Sequence, residues 1–188
     1  ASAGALPGTT IYDSDEANFQ VFAIRPAAFS KDVYFKLTSS ITPFPFDFNL
    51  TSSVYRSVYN DENWNISVGI RPLLSHPNGL VSGSNIKLAA NDPNKYEVVF
   101  RGFNDNLGTI DNSFELTASI SANVAKDLLR ANKRVYIGAR NENITGSNLN
   151  QCDVLARSTR YWTRYVDNNT LKQHAHDREN YGISRTYE

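Results

Sequence analysis

Few residues in this chain combine the types and spacing that chemistry needs. His174-Ala-His176-Asp177 comes nearest to a metal site. On a strand its two imidazoles would share a face, which suits two ligands of a zinc or nickel ion. Only His76 remains as a third imidazole, whereas a closed zinc site takes four good ligands. The string therefore reads as a polar tail with capping histidines. Two acidic turns have the oxygen ligands that calcium takes: Asp13, Asp15 and Glu16 in one, and Asn104, Asp105, Asn106 and Asp111 in the other. Asp105 and Asp111 are the metal candidates of the second turn. Neither turn has the regular spacing of a helix–loop–helix calcium site, and turn chemistry alone accounts for Asn and Asp there. Calcium is the one cofactor left open, and none is required.

Catalytic constellations are weaker still. A sandwich glycosidase places two carboxylates on one strand face, flanking the sugar bond. Glu97 and Glu115 instead stand alone on their strands. No serine nucleophile elbow, phosphate-binding glycine loop or Cys–His pair occurs. Cys152 has Asn150, Gln151 and Asp153 around it and no histidine. The chain reads as non-enzymatic. Aromatic side chains are the remaining handle, since Tyr55, Tyr59, Trp64, Phe103, Tyr161, Trp162 and Tyr165 would stack on sugar rings if they lined a concave face. Aromatics at period-two spacing are ordinarily core, and Trp64 is assigned there. Trp162 and Tyr165 stay as ligand-binding candidates, with Asn143, Asn104 and Asp105 as polar partners in nearby loops. Asn49, Asn65, Asn143 and Asn168 precede x-Ser/Thr, a match that Asn-rich sequence produces by chance.

Composition narrows the partners. The 188 residues carry 19 basic and 19 acidic side chains, a balance that argues against the clustered Lys and Arg of a nucleic-acid footprint. The densest basic stretch is Arg157, Arg160 and Arg164, and a strand there would split it across two faces. One cysteine excludes an internal disulfide and agrees with assembly in a reducing cytoplasm. No apolar run is long enough for a membrane span. Absence of Met and the opening Ala1-Ser-Ala-Gly-Ala-Leu-Pro-Gly8 suggest a piece of something longer. Residues 1–8 read as a linker or N-terminal arm and 9–188 as one domain, enough chain to bury roughly 70% of its unfolded surface.

The elements that must position these residues are mostly strands. In Tyr96-Glu-Val98-Val-Phe100-Arg-Gly-Phe103, alternate positions lack polar side chains while the others carry Glu97 and Arg101. Phe114-Glu-Leu116-Thr-Ala118-Ser-Ile120 alternates strictly, and a third strand is predicted at Val135-Tyr-Ile137-Gly-Ala139-Arg140. Such alternation predicts antiparallel sheets with one face on a core and the other in water. Further strands are predicted at 9–12, 18–25, 32–38, 64–71 and 153–164, with a short pair at 81–83 and 86–90. Phe19, Val21 and Ala23 share a face of the second. Residues 41–50, with two prolines among phenylalanines, form an edge strand or packed loop, whose Phe44, Phe46 and Phe48 would suit a repeated subunit contact. Residues 104–109 join two strands. Ser121 can cap a helix over 122–131, with Val124, Leu128 and Ala131 on one face. The whole predicts an all-β fold: an antiparallel β-sandwich of about 11 strands, a count that rests on period-two segments, with one short helix.

Two stretches carry a family resemblance. Val54 to Pro72, with Trp64-Asn-Ile-Ser-Val-Gly-Ile-Arg71-Pro72 at its end, resembles the strand-plus-"RP" segment of laminin-G-like, concanavalin A-like jelly-roll domains. Val135-Tyr-Ile-Gly-Ala-Arg140 is similar to the "YIG" strand near the end of such domains, and Tyr96-Glu-Val-Val-Phe fits a strand of the same sandwich. Asn143-Ile-Thr-Gly146, Asp153-Val-Leu, Arg160-Tyr-Trp162, His174-Ala-x-Asp177 and Asn180-Tyr-Gly182 look like copies in virion structural proteins of large phages and DNA viruses. The resemblance implies a module that binds or builds: a virus-particle domain used in assembly or attachment, on a virion or extracellular surface, contacting neighbouring subunits. The other expectation is a lectin-like module for surface glycans. The Asp and Asn that hold calcium in many laminin-G domains have no assigned counterparts here.

Overall fold

The computed structural model describes residues 19–39, 48–60, 62–73, 95–130, 135–141, 148–149, 154–177 and 179. Three strands, β1 (Gln20–Ile24), β2 (Tyr34–Ser39) and β3 (Phe48–Thr51), form one antiparallel sheet in that order. A second antiparallel sheet holds β4 (Asn63–Pro72), β5 (Lys95–Asn106) and β6 (Thr109–Ser121), with β5 in the middle. Helix α1 (Ala122–Arg130) follows β6 directly, then the two-residue strands β7 (Arg140–Asn141) and β8 (Asn148–Leu149), and finally α2 (Asn168–His176). Mostly-β content with short helices matches the expected class.

The hairpin of β5 and β6 is the frame on which the rest is hung. Its register runs from Lys95 opposite Ser121 to Asn106 opposite Thr109, with one irregularity between Asn104 and Asp105. The turn is only Leu107-Gly108, with φ of 51° and 85°. Positive φ at both positions gives the mirror-image turn whose twist suits a two-residue hairpin. Glycine adopts that backbone freely; leucine does so at a cost of about 1–2 kcal/mol.

Alternation decides the core. Val98 and Phe100 of β5 and Ile120 of β6 meet Val33, just before β2, and Phe35 and Leu37 within it, with Ala125 and Leu128 of α1 closing one side. Trp64, Ile66, Val68 and Ile70 of β4 and Phe114, Leu116 and Ala118 of β6 pack against that cluster. Phe35 sits 4.8 Å from the Trp64 ring and 5.6 Å from Phe114, and Phe100 meets Phe114 edge-on at 5.0 Å. A side chain at Gly102 would collide with the Phe114 ring, so close approach explains that glycine. Each fully buried Phe or Leu contributes about 1.5–3 kcal/mol through the apolar area it removes from water. Ser121 caps α1 as its position predicts, its Oγ accepting from the Val124 N–H at 3.3 Å.

Several expectations are corrected. Residues 135–139 are not a strand, and Val135, Tyr136 and Ile137 are exposed; apolar alternation over so short a run has no partner to ladder with among the described residues. Residues 154–164 form no strand either, and the His-containing tail is the helix α2, capped by Asp167, which accepts from the Thr170 N–H at 2.8 Å. The second face of β5 does not meet water: Val99, Arg101 and Phe103 are buried, because residues 162–177 lie across it. Eight strands are seen among the described residues, and two helices rather than one. Residues 9–12, 81–90, Phe44 and Phe46 lie outside the described residues, and Phe48 opens β3.

Candidate functional site

Polar chemistry in the described residues concentrates on that covered face of β4–β5–β6. Antiparallel register places Arg71 of β4 opposite Glu97 of β5, and Arg101 of β5 opposite Glu115 of β6. Arg71 Nε donates to Glu97 Oε2 at 2.6 Å, and Arg101 Nε to Glu115 Oε2 at 3.0 Å. Two opposite-charge pairs thus sit side by side, with Arg71 Nη2 also 4.0 Å from Glu115 Oε1. Sequence reading left both glutamates alone because each strand carries only one. Their partners were legible only through register, which aligns Arg71 with Glu97 and Arg101 with Glu115.

Tyr165 closes the set from above. Its hydroxyl oxygen accepts from Arg71 Nη1 at 2.9 Å and from Arg101 Nη2. The ring lies over Gly69, where a Cβ would stand 3.5 Å from two ring carbons. Arg101 Nη1 donates to the Val166 carbonyl at 3.3 Å, and Asn168 Nδ2 to Glu115 Oε2 at 2.8 Å. Arg101 is only 3% exposed, so its charge is tolerable only because each nitrogen has a partner. Burial pushes the Glu115 carboxyl up, but the bonds from Asn168 and Arg101 and the charges of Arg101 and Arg71 outweigh it, and the net shift is downward. Arg71 is opposed by burial in turn, yet Glu97, Tyr165 and Glu115 together raise its pKa. Two cations and two anions in mutual contact leave neither carboxylate free as a base. The cluster is a fastening: it holds the chain after residue 164 on the sheet.

The predicted site residues separate. Tyr165 is part of this fastening. Trp162 stacks flat on the buried His174 ring, centroids 5.6 Å apart and planes 8° apart. Asn104 is buried, donating to the Asn63 carbonyl at 3.1 Å and accepting from Asn112. Asp105 accepts from His176 Nδ1 at 2.6 Å, and Asp111 accepts from Asn106 at 2.9 Å. Asn143, like His76 and Cys152, lies outside the described residues. His174 and His176 thus face the sheet from a helix, one under Trp162 and one on Asp105, rather than sharing a strand face. Among the described residues no three His, Cys, Asp or Glu side chains are placed to hold a metal ion, and no helix is long and apolar enough to cross a membrane.

One end of the molecule differs from the rest. The loop after β1, the turn after β3 and the β5–β6 turn all lie there. Tyr55 N–H and carbonyl bond Val33, Tyr59 N–H bonds the Lys31 carbonyl, and Asp32 accepts from the Ser57 N–H. The Arg25 guanidinium lies 3.9 Å from the centre of the Tyr59 ring, and the Tyr55 hydroxyl donates to the Ser113 carbonyl, four residues along β6 from the turn. Phe29, Ser57 and Leu107, the non-glycine residues of positive φ among those described, all belong to this end. Phe29 is 94% and Leu107 100% exposed. The hairpin turn requires that backbone at Leu107, but two large apolar side chains left in solvent serve no packing purpose. Sequence reading missed both residues; the signal at Leu107 was an apolar residue before Gly108, where a two-residue hairpin turn favours Asn or Asp.

No family model, curated protein or solved structure matches this chain.

Proposed function

We propose that this chain is a non-catalytic building or attachment module, a concanavalin A-like jelly-roll sandwich of the kind virus-particle proteins carry. The observation that carries the reading is the apolar, strained loop end, where Phe29 and Leu107 stand free of their own core. A partner surface that received them would recover apolar burial the monomer forgoes. The charged residues of the covered sheet face support the same reading, since they are spent on holding residues 165–168 rather than on a substrate. On this reading the partners are protein subunits of one assembly, on a virion or extracellular surface, and the single cysteine suits folding in a reducing cytoplasm. Sedimentation velocity on the chain over a hundredfold range of concentration tests it. Mass rising with concentration supports subunit contacts; a constant monomer mass throughout counts against self-assembly.

A lectin-like role is the second reading, favoured by the Tyr161 ring, 66% exposed next to the Trp162 stack. A glycan array run with calcium and then with a chelator tests it. Selective binding lost in Tyr161→Ala supports stacking on sugar, loss on chelation would implicate calcium, and silence across the array removes the reading.

A further inference from the structure

The β5–β6 hairpin ends in two unlike features. At its turn, Leu107 is fully exposed, with the exposed Asp111 three residues beyond Gly108. At the opposite end, where Lys95 pairs with Ser121 and β6 runs into α1, lies an open cleft of about 480 Å³. Tyr96, Ala122, Asn123, Lys126, Leu129 and Arg130 line it. Leu129 is 54% exposed, so the cleft has an apolar wall as well as two cations. Twelve residues of β5 at about 3.3 Å each separate the two features by ~40 Å.

We infer that these are the two halves of one contact: the Leu107 turn of one copy seats in the Tyr96–Leu129 cleft of the next. Shape and chemistry agree. A two-residue turn is a narrow projection, and its leucine meets Tyr96 and Leu129. The exposed Asp111 beside the turn meets Lys126 and Arg130, an anion against two cations, and such complementarity sets register and suppresses wrong pairings. The alternative of an anionic bilayer receiving the turn is disfavoured by that same aspartate. Because the joined surfaces are different and lie at opposite ends, the contact is head-to-tail. It closes into a ring or continues as a filament, and it cannot stop at a symmetric dimer.

This inference rests on the assembly reading and names its contact. Leu107→Gly removes the projection while keeping a residue that prefers the left-handed backbone. Lys126→Glu with Arg130→Glu spoils the cleft at two exposed positions. Each variant alone should need a concentration about tenfold higher or more to associate, the loss expected for a central contact. Mixed together, the intact turn of one fits the intact cleft of the other, and association stops at a pair of twice the 21.0 kDa monomer mass. Far-ultraviolet circular dichroism and melting curves confirm that both variants are folded. Wild-type growth beyond the dimer, monomeric single variants and a mixed pair together support the contact. If wild type associates and both variants do so equally well, this contact is overturned while the assembly reading stands. If wild type stays monomeric throughout, both fall.

Discussion

The two faces of the β4–β5–β6 sheet are equally buried along β5 and held in opposite ways. On the inner face Val98, Phe100 and Ile120 are sealed by other apolar and aromatic groups. On the outer face, between buried Val99 and Phe103, Arg101 is as buried as they are, but its hydrogen bonds hold it there, to Glu115, Tyr165 and the Val166 carbonyl. The inner face tolerates exchange of shape within an apolar set, because its attraction is non-directional. The charged set of the outer face has no such tolerance. Removing one member strands a charge, although replacing a whole set by apolar groups is often neutral. The core therefore makes the sheet, while the outer face decides what lies on it.

Core truncation gives the largest expected effect. Phe100→Ala should lose about 4 kcal/mol of unfolding free energy, transfer and cavity terms together, read by urea denaturation. Arg101→Ala comes next, at roughly 2–3 kcal/mol. The exposed side of Glu115 can take up water, which keeps the cost below the full 3–5 kcal/mol of a broken buried pair. If Arg101→Ala matched or exceeded Phe100→Ala, the outer face would be the more important of the two. Tyr165→Phe should cost about 1–2 kcal/mol, since two guanidinium groups lose one acceptor and keep their carboxylates. Its cycle with Arg101→Ala should show coupling near 1 kcal/mol. Hydrogen exchange offers the sharper reading. The amides of Leu171 in α2 and of its C-cap Asp177 should exchange faster in Tyr165→Phe while Val98 and Phe100 stay protected, because only the fastening is loosened.

Sequence made the inner face legible and the outer one not, for a physical reason. A core side chain needs only to be apolar at the right period, so Val98, Phe100, Leu116 and Ile120 declare themselves. Ser121 announces the start of α1 in the same local way. Glu97 and Arg101 carry the same letters whether they face water or a covering segment. What covers them is residues 162–177, and that docking depends on Arg71, Arg101 and Glu115 coming into register from three strands, which no local pattern encodes. Residues 135–139 fail in the converse manner: Val135-Tyr-Ile137 has the strand period but no neighbour among the described residues that turns period into a ladder. The candidate residues fared by the same rule. Tyr165 was singled out as an aromatic for sugar, and its hydroxyl turns out to be what the two arginines share.

The faces should also fail at opposite ends of the pH scale. On the outer face, the Glu115 carboxyl is held below its ordinary value of 4.5. A depressed carboxyl contributes stability that is full above the unfolded pKa and is lost as pH falls through the folded one. Acid should therefore weaken the outer face first. Glu115→Gln, which keeps an acceptor for Asn168 but cannot titrate, should be less stable at neutral pH and show a flatter acid limb. An unchanged limb would mean that other carboxylates govern acid unfolding.

The smallest expected effect lies at the alkaline end and belongs to the inner face. Burial among Phe35, Trp64 and Phe114 raises the Tyr55 hydroxyl above its ordinary value of 10.0. Raised by burial, the phenol keeps its proton longer in the folded state than in the unfolded one. Its contribution is complete below the unfolded pKa and disappears as pH rises through the folded one. Stability measured from pH 8 to 11 should fall for the wild type and fall less steeply for Tyr55→Phe. That variant gives up one hydrogen bond to the Ser113 carbonyl, long at 3.3 Å, and should cost no more than about 1 kcal/mol at neutral pH. Parallel alkaline limbs would mean that Tyr55 ionises as freely in the fold as outside it. The inner face would then be open to water at its edge, and the contrast between the faces would narrow to the charged set alone.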